Sequence, residues 1–196
     1  MKEFLLILFS VILIDNLVLS RFLGVCSFLG LTKNVKNAMG MSIAVIFVML
    51  IATAVTYPIY WKILDPVGLG YLQTVVFILV IASAVQVLEA FIRKAFPPLY
   101  KAMGIYLPLI TTNCAILGVM LINIQETYSF LAAMMSSLGA GVGYMLAMFL
   151  FAGVREKMEK ADIPAFMEGL PSTLMAAAIV SVSFMGFKGV IENLFG

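Results

Sequence analysis

The segment TYSFLAAMMSSLGAGVGYMLAMFLF, residues 127–151, decides the class of fold, because it contains no charged side chain along its whole length. An apolar run of roughly 20 residues is long enough for a helix to cross a hydrocarbon core of about 30 Å. Within the segment, Gly139 and Gly143 form a GxxxG pattern. Small residues at this spacing let two helices approach closely in a membrane, so the pattern predicts a packing surface.

The composition of the whole chain agrees with this segment. Of the 196 residues, 63% are hydrophobic and 11% are charged, which is far outside the mixture of a water-soluble domain. The net charge of +2 is small, and the basic residues lie between apolar runs rather than in a stripe that could follow phosphates. The sequence therefore predicts an all-α integral membrane protein and argues against a nucleic-acid partner.

Apolar runs separated by charge, proline and glycine predict six transmembrane helices, at residues 4–23, 38–57, 71–92, 104–123, 127–151 and 171–193. The first run resembles a signal peptide, but Asp15 and Asn16 follow it where a small-residue cleavage site is expected, so we interpret it as a retained span. The connection PIYWKILDPVGLG, residues 58–70, has two prolines and the single tryptophan, which is typical of an interfacial loop.

Basic residues are distributed unequally between the two sides of the predicted bundle. The connections after spans one, three and five carry eight: Lys33, Lys36, Arg93, Lys94, Lys101, Arg155, Lys157 and Lys160. The opposite side carries three: Lys2, Lys62 and Lys188. Because cytoplasmic loops are enriched in Lys and Arg, we expect both termini to face away from the cytoplasm.

A short internal repeat divides the chain into halves. CSFLG at residues 26–30 and CAILG at residues 114–118 share the pattern C-x-x-L-G, and each lies at or near the first span of a three-span half. We therefore predict one membrane domain, residues 1–196, made of inverted repeats at 1–100 and 101–196. Inverted repeats place equivalent residues around an axis near the membrane midplane, so the two cysteines are expected to face each other.

The residues around the cysteines predict that helices one and four are broken. Gly24 and Gly30 flank Cys26, and Pro108 precedes Cys114. Glycine weakens a helix and proline removes one of its hydrogen bonds. Side chains of Thr111, Thr112 and Asn113 could satisfy the backbone at the second break, or could bond only within their own turn.

Cys26 and Cys114 are the only cysteines, and the chain has no histidine, which excludes bis-histidine haem and His-rich zinc sites within it. Two thiols are too few for a 2Fe-2S cluster, which takes four, so a partner would have to supply the rest. A disulfide needs an oxidising side and close sulfurs, and simple packing of two small apolar residues is the third interpretation.

Two carboxylates lie in or beside the predicted spans. Asp15 falls within the first, where an ionised carboxylate costs about 2.5 to 3.5 kcal/mol. It is either a cation or proton site, or a neutral or paired group. Glu89 ends the third span one turn before Arg93, which fits an ordinary interfacial pair or an ion-path carboxylate.

The stretch FILVIASAVQVLEAFIRKAFPPLYKAMGIYLPLITTNCAILGV, residues 77–119, resembles a known family of membrane subunits. This family includes RnfA, of the Rnf electron-transport complex, and NqrE, of the sodium-pumping NADH:quinone reductase. The resemblance continues in NLVLSRFLGVCSFLGLTKNVKNAMGM near the start, and in FAGVREKMEKADIPAFMEGLP and SFMGFKGV near the end. It therefore covers essentially the whole chain.

The resemblance implies six helices, with the first and fourth broken near the midplane, and an intramembrane 2Fe-2S cluster shared with RnfE, a homologous protein of the same complex. By position, the ligands here would be Cys26 and Cys114, with Gly24, Thr112 and Asn113 around them. The acidic position in VQVLE, linked in the family to cation translocation, is Glu89, whereas the family lends no support to a shared role for Asp15.

The implied function is electron relay in a complex that couples ferredoxin oxidation and NAD⁺ reduction to Na⁺ or H⁺ movement, in a bacterial or archaeal cytoplasmic membrane. The other components of the Rnf complex would be the B, C, D and G subunits. This chain has no flavin-attachment S-G-A-T sequence, so neither flavin nor haem is expected on it. The alternatives are the equivalent subunit of the quinone reductase, a small-solute secondary transporter and a purely structural subunit.

Overall fold

The computed structural model describes residues 8, 11–12, 16–32, 35–68, 70–95, 110, 113–162, 164 and 167–195. Within these residues every regular element is helical, and six α-helices are labelled here: α1 Val25–Leu31, α2 Val35–Ile59, α3 Gln73–Ala95, α4 Cys114–Gln125, α5 Phe130–Met158 and α6 Leu170–Phe195. Three of the described stretches are long and apolar enough to cross a membrane: Ala38–Leu64, Gly70–Phe91 and Phe130–Met158. Cys114–Gln125 and Leu170–Gly186 are shorter apolar helices.

The predicted spans and the observed helices overlap in the second, third, fifth and sixth runs. All four helices end beyond the predicted bounds, whereas α3 and α5 begin two and three residues after the predicted starts. Parts of the first run and most of the fourth lie outside the described residues. In the first run, residues 17–21 form turns rather than continuous helix.

The chain after Pro58 is helical and does not form the predicted loop. Helix α2 includes Pro58, continues as a π-helix over Tyr60–Leu64 and ends in a helical turn at Asp65–Val67. Proline has no N–H to bond the preceding turn, and a wider π-turn accommodates such a missing bond while the helix continues. The two prolines therefore correctly indicated a disturbance of the helix, but the prediction of a loop was wrong.

Helix α5 is the centre of the bundle, and its most extensive packing is against α2. Tyr144, Met148 and Phe151 from α5 are fully buried together with Met41, Val45 and Met49 from α2. A Cβ atom built on Gly141 would lie 2.7 Å from Ile46 Cγ1, so the close approach of these helices requires glycine.

The GxxxG pattern of α5 packs as predicted, against the N-terminal segment. A Cβ atom on Gly139 would lie 3.4 Å from the Leu8 carbonyl oxygen, and one on Gly143 would lie 3.3 Å from Ile12 Cα. Asn16 fixes this contact by donating from Nδ2 to the carbonyl oxygens of Gly143, at 2.9 Å, and Ile12, at 3.1 Å. The small residues thus let a helix backbone reach the first segment closely enough to be hydrogen-bonded.

A buried polar cluster, formed by Thr53, Asn123 and Ser137, joins three helices. The Thr53 and Ser137 hydroxyls lie 2.7 Å apart, and Asn123 Nδ2 donates to Ser137 Oγ at 3.1 Å. Ser137 in turn donates to the Ala133 carbonyl. Buried polar groups are usually paired, and these bonds fix the register of α2, α4 and α5. Among the described residues, Asn123 Oδ1 is the atom of this cluster that has no partner.

Candidate functional site: two thiols at facing helix starts

The two cysteines lie in the first turns of α1 and α4. Cys26 is the second residue of α1, and Cys114 is the first residue of α4. Helix α4 begins there because Asn113 is extended and its Oδ1 accepts a hydrogen bond from the Ala115 N–H at 3.0 Å. Both cysteine residues are exposed at the surface of the chain.

The backbone before Cys26 contacts the side chain of Cys114 directly. The Gly24 N–H donates a hydrogen bond to Cys114 Sγ at 2.9 Å, across 90 residues of sequence. Gly24 has a left-handed backbone, with φ 83° and ψ 17°, which is the conformation that glycine adopts at no steric cost. The structure thus brings the residue before α1 into contact with the first side chain of α4, while the expectation that the two cysteines face each other stays a prediction.

Gly24 is also closely surrounded. A Cβ atom at this position would meet Asn113 Oδ1 at 3.1 Å, Ala115 Cβ at 3.2 Å and Tyr144 Cε2 at 3.2 Å. Two separate features, the positive φ and the lack of space, therefore require glycine here.

Tyr144 anchors this region from α5. Its hydroxyl lies 2.7 Å from Ser27 Oγ, and Ser27 donates to the Gly24 carbonyl at 2.8 Å. Since the single Ser27 proton is used in that bond, the Tyr144 hydroxyl is the donor to Ser27. The Tyr144 side chain is fully buried and close enough to Cys26 and Cys114 to interact electrostatically with both thiols.

Asn113 carries a buried polar atom without a partner in the described part of the chain. Its Nδ2 makes no hydrogen bond there, although Oδ1 caps α4. The Asn113 side chain nevertheless lies close enough to the Tyr144 hydroxyl to interact with it. The neighbouring Thr112 and the acidic Asp15 lie outside the described residues.

The other end of α1 is held by Arg155 of α5. Arg155 Nη1 donates to the Leu29 carbonyl and to Thr32 Oγ1, the latter at 3.0 Å. A cation at a helix C-terminus also compensates the negative end of the helix dipole. The short helix that carries Cys26 is therefore attached to α5 at both ends.

We expect Arg155→Gln to lower the free energy of local opening of α1 by about 1.5 to 3 kcal/mol, which is the range for hydrogen bonds made by charged groups. Hydrogen–deuterium exchange of the α1 amides measures this loss. Lys157→Gln is the matched control, since it removes a positive charge from the same last turn of α5 at an exposed position. Equal exchange in both variants would contradict an anchoring role for Arg155.

Glu89 lies on α3. It is half-buried and lines an open surface depression of about 480 Å³ with four other residues of the same helix: Gln86, Ala90, Arg93 and Lys94.

Sequence reasoning missed Tyr144, Ser27 and Arg155. The uncharged run at 127–151 carries six hydroxyl side chains, and Tyr144 is one of them; a buried tyrosine hydroxyl usually has a hydrogen-bond partner. The presence of the hydroxyl could indicate that a hydrogen-bond partner exists, but it could not show which helix supplies that partner.

Helices of membrane-spanning length that enclose hydrogen-bonded polar side chains define this chain as an integral membrane protein. Residues 4–191 match the family described as "Rnf-Nqr subunit, membrane protein". A relative from Acetobacterium woodii, named as the A subunit of the "Na(+)-translocating ferredoxin:NAD(+) oxidoreductase complex", is 52% identical over 184 residues, 94% of this chain and 96% of the relative.

Two further relatives are named as the A subunit of an "Ion-translocating oxidoreductase complex". The one from Syntrophotalea carbinolica is 48% identical over 193 residues, which cover 98% of this chain and 100% of the relative. The one from Vibrio cholerae is 44% identical over 192 residues, with the same coverage of both chains. The chain belongs to the Rnf-Nqr family of membrane subunits.

Proposed function

We propose that this chain is the A subunit of an ion-translocating ferredoxin:NAD⁺ oxidoreductase complex, and that it supplies two ligands of an intramembrane 2Fe-2S cluster. The complex function is supported by relatives of that name that match nearly the whole chain. The cluster function is supported by one contact above all: the Gly24 N–H bond to Cys114 Sγ, which joins the two helix starts that carry the thiols.

The donor set fits half of such a site. Cys26 and Cys114 are both exposed, so a second protein can reach their sulfurs. In the described part of the chain no group of three or more His, Cys, Asp or Glu side chains could hold a metal ion. A 2Fe-2S cluster takes four thiolates, so two must come from elsewhere, and the homologous protein RnfE would provide them.

When bound, the cluster would take up and release an electron within a hydrocarbon layer that, at about 30 Å, is too thick for one rapid transfer. The residues of this chain hold the thiols in place for it. Gly24 directs its N–H at Cys114 Sγ, and hydrogen bonds to cluster sulfurs are among the features that set reduction potential. Ser27 and Tyr144 fix the turn that carries Gly24.

The arrangement of six spans in two inverted repeats, 1–100 and 101–196, belongs to this proposal. It is supported by the equivalent positions of the cysteines, each in the first turn of a helix that follows a non-helical residue. It is also supported by the packing of α2 against α5, which would be equivalent helices of the two halves. The site would then lie near the midplane, with both termini outside the cytoplasm and the B, C, D and G subunits completing the complex.

The cluster is tested on the purified, assembled complex by iron analysis and EPR. Relative to wild type, the double variant Cys26→Ser/Cys114→Ser should lose about two iron atoms per complex and the signal of one reduced 2Fe-2S centre. Ser83→Ala, which changes a hydroxyl bonded only within α3, should lose neither. Full iron content and an unchanged spectrum in the double variant would exclude the cluster from this chain.

Glu89 is proposed to lie on the Na⁺ or H⁺ path, with Asp15 as a second candidate. Glu89→Gln keeps the shape of the side chain and removes its charge, so we expect ion transport to fall about tenfold, the equivalent of about 1.4 kcal/mol. Transport into proteoliposomes of the complex measures the effect. Glu159→Gln, at an exposed position after α5, is the control, and equal transport in both variants would return Glu89 to a surface role.

A further inference from the structure

An apolar groove runs along the outside of the bundle between α2 and α3. It encloses about 530 Å³ and is lined by Phe47, Ile51 and Val55 from α2 and by Leu79, Val87 and Phe91 from α3, all of them exposed. At 1.5 Å per residue, the stretch from Leu79 to Phe91 is about 18 Å long. This is close to the depth of one leaflet of a hydrocarbon core about 30 Å thick.

The lining favours a lipid chain over a protein helix. Helices that associate in membranes use small residues and interhelical hydrogen bonds, whereas seven of the nine side chains that line this groove are bulky and only Ser83 and Ala84 are small. Its one polar side chain, Ser83, already donates to the Leu79 carbonyl of its own helix at 2.8 Å. Nothing in the groove requires a polar partner, which suits a flexible hydrocarbon chain.

A positive charge lies at one end of the groove. Lys94 is exposed and follows Val87 by seven residues and Phe91 by three, which places all three on one side of α3. Lys94 also lines the depression that contains Glu89, but the two residues lie about 140° apart around the helix, so the Glu89 carboxylate is not on the groove side. Basic side chains at the end of a membrane helix attract anionic lipid headgroups.

We propose that the groove between α2 and α3 binds an acyl chain of an anionic phospholipid, with the headgroup phosphate held at Lys94. The apolar lining holds the acyl chain, and the lysine favours lipids with a negatively charged headgroup. This site is on the outer surface of α3 and is independent of the proposed role of the cysteines.

The test measures tryptophan quenching by brominated lipids in the full chain reconstituted into bilayers. Trp61→Phe removes the only tryptophan, and Phe91→Trp then places a reporter in the groove. Brominated phosphatidylglycerol should bind about fivefold more tightly than brominated phosphatidylcholine, the preference expected from one lysine near the membrane surface. Adding Lys94→Gln should reduce this preference to about one.

A reporter placed by Val182→Trp on the exposed face of α6 is the matched control and should show no preference. Equal preference at both reporters, preference that survives Lys94→Gln, or no quenching at position 91 would each overturn the proposal. In the assembled complex, a photo-crosslinker at position 87 should capture lipid. Capture of another protein of the complex there would show instead that the groove is a protein interface.

Discussion

Replacing Cys114 by serine is expected to reduce ferredoxin-dependent NAD⁺ reduction by the assembled complex to below about 1% of wild type. Changes to groups that only support metal ligands already cost about 10- to 100-fold, and this change would remove a proposed ligand itself. The serine hydroxyl can still accept the Gly24 N–H bond, so the local packing should survive. The loss would therefore report on the chemistry of the thiolate rather than on folding.

Cys26→Ser should reduce activity to the same extent, because it would remove the other proposed ligand. Cys26 is exposed in the first turn of α1, and serine there is small and polar. Complex assembly, judged by subunit stoichiometry after purification, should remain normal in both variants. Activity above about 10% of wild type in either variant would contradict ligation by that cysteine, since it would equal the milder loss seen for supporting groups.

Gly24→Ala is expected to have the second-largest effect, because two costs add at this residue. A Cβ atom at φ 83° costs about 1 to 2 kcal/mol of backbone strain. The same atom would meet Asn113, Ala115 and Tyr144 at 3.1 to 3.2 Å, so the helix starts must separate slightly. We expect the free energy of unfolding to fall by about 2 to 4 kcal/mol in total, because strain and overpacking both contribute. We also expect a reduced cluster content by EPR.

Two glycines of the chain separate these costs. Gly68 has φ 69° and nothing within 4 Å of the place that a Cβ atom would occupy, so Gly68→Ala should show the strain alone and leave the EPR signal intact. Gly30 also has open space but no positive φ, and it lies within α1, so Gly30→Ala should leave the EPR signal intact and raise the melting temperature slightly. If Gly24→Ala matched Gly68→Ala in melting temperature and in EPR intensity, the close packing around Gly24 would have no role in the site.

Asn16 shows how a polar residue inside an apolar run can serve structure instead of transport. Its Nδ2 donates to Gly143 and Ile12, and its Oδ1 accepts from the N–H groups of Val18 and Leu19. The amide is fully buried and bonded on both sides, and it holds the turn that leads to Gly24. A polar residue at this depth is stable because the backbone of two segments satisfies it.

Several features of the fold followed from local sequence. The absence of charge at 127–151 predicted a membrane-spanning helix, and the structure has α5 at Phe130–Met158. The spacing of Gly139 and Gly143 predicted close helix packing, which occurs against Leu8 and Ile12. Pro58 predicted a disturbance but not the π-turn that absorbs it, because the sequence does not show whether neighbouring helices hold the chain in a helical path.

The sequence by itself determined the membrane class, the absence of histidine and the presence of only two thiols. These properties depend only on composition and on long apolar runs, which require a hydrocarbon environment whatever the tertiary fold. The tertiary structure decided what surrounds the thiols. Gly24 reaches Cys114 across 90 residues, Ser27 reaches Tyr144 across 117, and Arg155 reaches Thr32 across 123. Such contacts form only when packing brings distant parts of the chain together, so the local sequence could predict the two thiols but not the residues that hold them in place.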